Sequence, residues 1–220
     1  MTPDVPHSAV RHSDSRDPGA RQPAARHPAA AWFVLIAFAV TGLCYSHLPD
    51  LLPMRWDWQG RPDMLLPKWW AAWIVPTMTA IVTVTLVWLL SPKRTSAIVI
   101  NAIAGLMCYT CGVSLYAAMH PSEPPFAYIY MGLGIFLIVV GNILGKLPWN
   151  YFLGIRTYWT MDDPRVWERT HRTAGPVYVL GGIAIFGASV AQVATTMILA
   201  LLIATCLLPV AYSYVVWRRG

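Results

Sequence analysis

Polar side chains able to do chemistry are few in this chain, and the longest polar stretch beyond the N-terminal segment is 145–172. It carries Asn150, Arg156, Thr157, Thr160, Thr170, His171 and Arg172, interleaved with Trp149, Trp159 and Trp167. His171, Arg156 and Asn150 could form a polar site from a titratable imidazole, a fixed cation and an amide. A nucleophile and a base at a recognisable spacing are missing, so no catalytic pair can be assigned. The alternative reading is a basic amphipathic segment whose Arg165, Arg169 and Arg172 meet anionic lipid heads. Asp163-Pro164 is a helix start, because Asp caps free N–H groups and Pro fits the first turn. The predicted helix carries Val166, Trp167 and Thr170 on one side. It is expected to lie against the membrane and feed the span that follows.

Cys108 and Cys111 have the spacing of a redox or metal pair. Such thiols work at a helix N-terminus, where the thiolate is stabilised. These lie within an apolar run, so packing is the expected role, as it is for Cys44 and Cys206. Five of the eleven tryptophans, Trp56, Trp58, Trp69, Trp70 and Trp73, gather around a second polar stretch, 47–68. They suit an aromatic belt at a membrane interface. They also suit a small cap over 55–63 that turns at Gln59-Gly60 and meets an external ligand.

These stretches must be positioned by something other than a water-soluble fold. Of 220 residues, 56% are hydrophobic and 12% charged, with mean hydropathy +0.49. Soluble domains carry about 25% charge. A soluble enzyme, a disordered chain and a disulfide scaffold are excluded, which leaves a polytopic membrane protein. Residues 1–28 hold five prolines and almost no large apolar side chain, and are expected to be a disordered tail. The apolar run that follows reads as a retained signal anchor, because no small-x-small cleavage site follows it and bulky Leu43 precedes Cys44. Spans are predicted over 29–46, 69–90, 96–119 and 126–144. The last stretch, 173–217, is uncharged for 45 residues, which is about 67 Å of helix. It is therefore two spans, with a turn within 188–195 around Gln192. The expected class is an all-α bundle of six transmembrane helices. It divides into an N-terminal half, 29–119, and a C-terminal half, 120–217.

Lysine and arginine fix the orientation. With the N-terminus inside, thirteen of the sixteen lie inside, and only Arg55, Arg61 and Lys68 lie outside. Both termini are then cytoplasmic, 47–68 is an outer loop and 145–172 an inner one. The net charge of +6 thus reports topology, and no nucleic-acid partner is expected. The spans so drawn hold no Asp, Glu, Lys, Arg or His, which argues against a proton-coupled pump and an intramembrane protease. No cofactor or metal is expected. Asn101, Asn142 and Gln192 are expected to bond between helices, and Gly132, Gly134, Gly141, Gly145, Gly181, Gly182 and Gly187 to let helices approach.

Two motifs carry a resemblance. Gly141-Asn142, then Asn150-Tyr-Phe-x-Gly154-Ile-Arg156-Thr157-x-Trp159-Thr160, then Val166-Trp167-x-x-Thr170-His171-Arg172-x-x-Gly175 resembles the signature of the SdpI family of bacterial membrane proteins. Leu48-Pro49, Pro53, Trp56 and Gly60-Arg61-Pro62-Asp63 are similar to a domain of unknown function that often precedes it. Arg55 stands where that domain usually has His before Trp, and Tyr158 where Pro commonly precedes Trp-Thr. The resemblance covers about 29–217. It implies a non-catalytic protein of the bacterial cytoplasmic membrane, giving immunity to a secreted toxic peptide at the outer face or signalling to a cytoplasmic regulatory protein, with membrane lipids around it. From the residues alone, a small-solute transporter or channel using Asn101 or Asn142 stays open. So does an inner-leaflet enzyme using Asn150, Arg156 and His171.

Overall fold

The computed structural model describes residues 28–57, 59–90 and 94–219. The expected tail, apart from Pro28, lies outside these residues, as do Trp58 and Lys93. The chain is a polytopic helix bundle. Its long helices are α1 (Pro28–Cys44), α2 (Lys68–Leu89), α3 (Arg94–Met119), α4 (Phe126–Leu144), α6 (Pro164–Val190) and α7 (Thr195–Arg219), with a short α5 (Tyr158–Asp162). Six of the helices are long and apolar enough to cross a membrane. An even number of crossings returns the end of α7 to the face where α1 begins. In lipid every backbone group must be bonded within its own segment, which is why such apolar runs become continuous helices.

Helices α1, α2 and α3 pack on one another, as do α4, α6 and α7, and α3 meets α4 between the two groups. The α4–α6 pair is the tightest, and glycine makes it so. A Cβ placed on Gly134 would lie 2.8 Å from the Gly182 carbonyl oxygen, and one on Gly141 2.8 Å from that of Gly175. The two antiparallel helices thus touch backbone to backbone at two levels, seven residues apart on each. Gly132 instead gives room to Tyr109 of α3 and Gly181 to Thr205 of α7, while nothing lies within 4 Å of a Cβ on Gly187.

Between α1 and α2 the chain forms a β-hairpin, β1 (Leu51–Trp56) paired antiparallel with β2 (Pro62–Pro67). Its foot is apolar. Leu48 and Leu52 bury against Ala37, Ala71, Ala72, Leu115 and Ala118 at the ends of α1–α3. Both strands are edges, so prolines at their ends and at Pro53 are tolerated.

Two expectations change. Helix α6 is continuous from Pro164, so 164–172 does not lie along the membrane. Twenty-seven residues make about 40 Å of helix, and the first turns project beyond a core of about 30 Å. Its buried face, Val166, Trp167 and Thr170, points at the loop that precedes it. The expected bonds between helices are not made by Asn142, which is exposed and donates from Nδ2 to the Ile138 carbonyl 2.8 Å away on its own helix, nor by Asn101 Oδ1, which is buried with no partner among the described residues.

Candidate functional site

The loop between α4 and α6 is built by its own polar side chains. Asn150 Oδ1 accepts the N–H groups of Phe152 (2.9 Å) and Leu153 (2.7 Å), and Nδ2 donates to the Pro148 carbonyl at 2.8 Å. One amide thus folds a tight turn. Thr157 caps α5. Its hydroxyl accepts the Thr160 N–H, while Thr160 Oγ1 accepts the Thr157 N–H at 2.9 Å and donates to the Ile155 carbonyl at 2.9 Å. This is a capping box with threonine at both ends. Asp163 caps α6 by accepting the Arg165 N–H at 2.7 Å, and that bond holds its carboxyl below the usual carboxylate range.

Helix α6 locks this loop in place. Trp167 Nε1 donates to the Leu147 carbonyl at 3.0 Å. His171 is buried and stacks on Trp167, with ring centroids 3.9 Å apart. Its Nδ1 meets the Trp167 carbonyl at 2.9 Å and its Nε2 the Ile155 N–H at 2.9 Å. A carbonyl only accepts and an N–H only donates, so Nδ1 carries the proton and the ring is neutral. Gly154 passes over this ring at φ +115, and a Cβ there would strike His171 Nε2 and Trp167. Only glycine suits both the conformation and the contact.

The motif residues therefore come together, with a division of labour that spacing did not reveal. Asn150, Gly154, Thr157, Thr160, Trp167 and His171 organise the loop. Arg156 and Arg172 are exposed, and Thr170 is buried with its hydroxyl unpartnered. His171 and Asn150 each spend their polar atoms on backbone groups, so they present no free imidazole and amide beside Arg156. Trp159 leads to residues that motif spacing missed. Its Nε1 donates to Ser213 Oγ, and its ring lies 5.2 Å from Tyr214 and 6.1 Å from Trp217 on α7. The i, i+3 spacing of Tyr214 and Trp217 just before Arg218 was the available signal. Tyr158 opens α5 and is exposed beside Trp217. A proline would also fit that first helical position, which accounts for the substitution.

The second motif folds the hairpin on the opposite face. Asp57 Oδ1 accepts the N–H groups of Gln59 (2.9 Å) and Arg61 (2.8 Å), and Oδ2 pairs with Arg61 Nε at 2.9 Å. The Arg61 backbone bond holds the Asp57 carboxyl below its ordinary range. Arg55, standing in for the usual His, pairs with Asp63 at 2.8 Å across the strands. Pro53 and Gly60 are buried, Trp56 is half-buried, and Pro49 is exposed. Gly60 has φ +80, and a Cβ on it would lie 2.6 Å from Pro124 Cβ, so the hairpin tip seats on the α3–α4 link. Trp69 and Trp70 are exposed at the start of α2, as a belt requires, whereas Trp73 stacks with Phe38 and Tyr45 inside the bundle.

Comparison with known proteins matches residues 146–213 to the SdpI/YfhL protein family and residues 32–80 to a domain of unknown function, DUF1648. The first match lies in the C-terminal half of the chain and the second in the N-terminal half. Along the chain, 157 residues are 28% identical to Immunity protein SdpI of Bacillus subtilis (strain 168), which covers 69% of this chain and 75% of that protein. No solved structure matches. The SdpI-family match begins at Lys146, where the locked loop begins, and ends at Ser213, the serine that receives Trp159. The DUF1648 match runs through α1, the hairpin and the first part of α2.

Proposed function

We propose that this protein is a non-catalytic immunity protein of the bacterial cytoplasmic membrane, protecting its cell from a secreted toxic peptide. The observation that carries this reading is the pairing of both matched regions along one chain with 28% identity to a protein named for immunity. The geometry supports it in two ways. Both ring nitrogens of His171 are engaged with backbone groups, so neither is free to exchange a proton with a substrate, which disfavours an inner-leaflet enzyme. Asn142 is satisfied within its own helix, which disfavours a solute path through it. The excess of Lys and Arg supports an orientation with the locked loop inside and the hairpin outside, where a secreted peptide arrives.

A second role has its own observation. At the inner end Tyr151, Phe152 and Tyr158 are 60%, 61% and 73% exposed beside Arg156. That surface suits lipid headgroups or a cytoplasmic regulatory protein, and so signalling. The test of immunity is deletion of the gene and challenge of the cells with the matching peptide. Killing at lower peptide concentration is expected; unchanged sensitivity sinks the reading.

A further inference from the structure

The face bearing the hairpin carries three cations, Arg55, Arg61 and Lys68, and each has a partner. Arg55 pairs with Asp63 at 2.8 Å, Arg61 with Asp57 at 2.9 Å and Lys68 with Asp50 at 3.1 Å. The fourth carboxylate of that face, Glu123, has no cation within ion-pair distance among the described residues. It is not adrift. Three prolines stiffen its link, its N–H donates to the His120 carbonyl at 3.0 Å, and its Oε2 accepts the Tyr116 hydroxyl at 2.7 Å. A carboxylate offers about four lone-pair sites, so one tyrosine leaves most of them unused.

Glu123 lines an open cavity of about 620 Å³, and among the described residues it is the one charged residue in the wall. Gln59 comes to that wall from the hairpin tip, Tyr128 and Met131 from α4, and Gln192 and Val193 from the α6–α7 turn. Gln192 has φ 52, at a helix end where glycine is usual. The chain keeps an amide in the cavity wall despite the backbone strain. The cavity thus offers one positioned anion, neutral polar groups and apolar surface.

We propose that this cavity binds a cationic amphipathic peptide segment, with Glu123 as counter-ion to a lysine, arginine or terminal amine and Met131 and Val193 against a neighbouring apolar side chain. This rests on the immunity reading and names the chemistry of the peptide it would meet. The complementarity is of charge, and salt should weaken it.

The full chain in phosphatidylcholine nanodiscs, titrated into the fluorescein-labelled tetrapeptide amide Lys-Leu-Lys-Leu, tests it by anisotropy. Saturable binding above empty nanodiscs is expected, weakened about tenfold by Glu123→Gln, since bonds to charged groups are of that order. Glu123→Asp and Asp50→Asn should retain it, and the lysine-acetylated peptide should not bind. Binding no greater than to empty nanodiscs, or unaffected by Glu123→Gln, overturns the site. Challenge with the toxic peptide separates the two ideas. Full protection by the Glu123→Gln variant overturns the site and leaves immunity standing. Binding without protection by the native chain overturns immunity and leaves the site.

Discussion

His171 and Gly154 act as one unit, and substitutions should reveal it. His171→Ala leaves the buried Ile155 N–H unpaired and removes the stack on Trp167, a loss of about 1–3 kcal/mol for the unpaired donor alone. Gly154→Ala forces a side chain to adopt φ +115 and to strike the same ring. The double variant should lose less than the sum, because removing the ring clears the space. Thermal unfolding in detergent reads this as lowered apparent Tm for each single variant and a sub-additive double. Unchanged or strictly additive Tm values would contradict the lock. The importance of these residues was legible in their spacing, but their roles were not. Asn150, Arg156 and His171 look like an active-site trio on paper. Only the folded loop reveals that two of them bond to backbone carbonyls and N–H groups, which a sequence pattern does not display.

Among the elements, the α4–α6 pair carries the sharpest expectation. Gly134→Leu or Gly182→Leu must push apart backbones that a single Cβ would already crowd, so the folded, monodisperse fraction extracted from membranes should collapse. Gly187→Ala, with nothing within 4 Å, should be neutral or slightly stabilising, since alanine outranks glycine in helices by up to about 1 kcal/mol. Equal tolerance at all three positions would mean the helices are not in backbone contact. The heptad spacing of Gly134 with Gly141, and of Gly175 with Gly182, was there to be read. Their pairing was not, because it needs the antiparallel register of two helices. The hairpin was only half legible, as a turn at Gln59-Gly60. Proline-rich strands of six residues give no clear alternation, and their stability comes from the apolar foot set on α1–α3. The continuity of α6 was missed for another reason. Charge marked where lipid ends, and the helix does not stop there.

Across the whole molecule, the six crossings were the most legible feature, because a lipid solvent tolerates few alternatives to long apolar helices. The cavity beside Glu123 was the least, since hairpin, link and turn are far apart in sequence and only the bundle brings them together. The resulting molecule has a polar face where, among the described residues, Glu123 is the carboxylate without a cation, and an opposite face where a signature loop is bolted to α6 and α7. Protection from a peptide arriving at the first face is the central claim. Its most direct test is sufficiency. The native chain is expressed in a peptide-sensitive strain that lacks it, its presence in the membrane is verified, and survival is measured across a peptide dilution series. Survival at concentrations that kill cells carrying the empty vector is the expected result. A killing curve identical to that of the vector-only cells, with the protein present in the membrane, would contradict it.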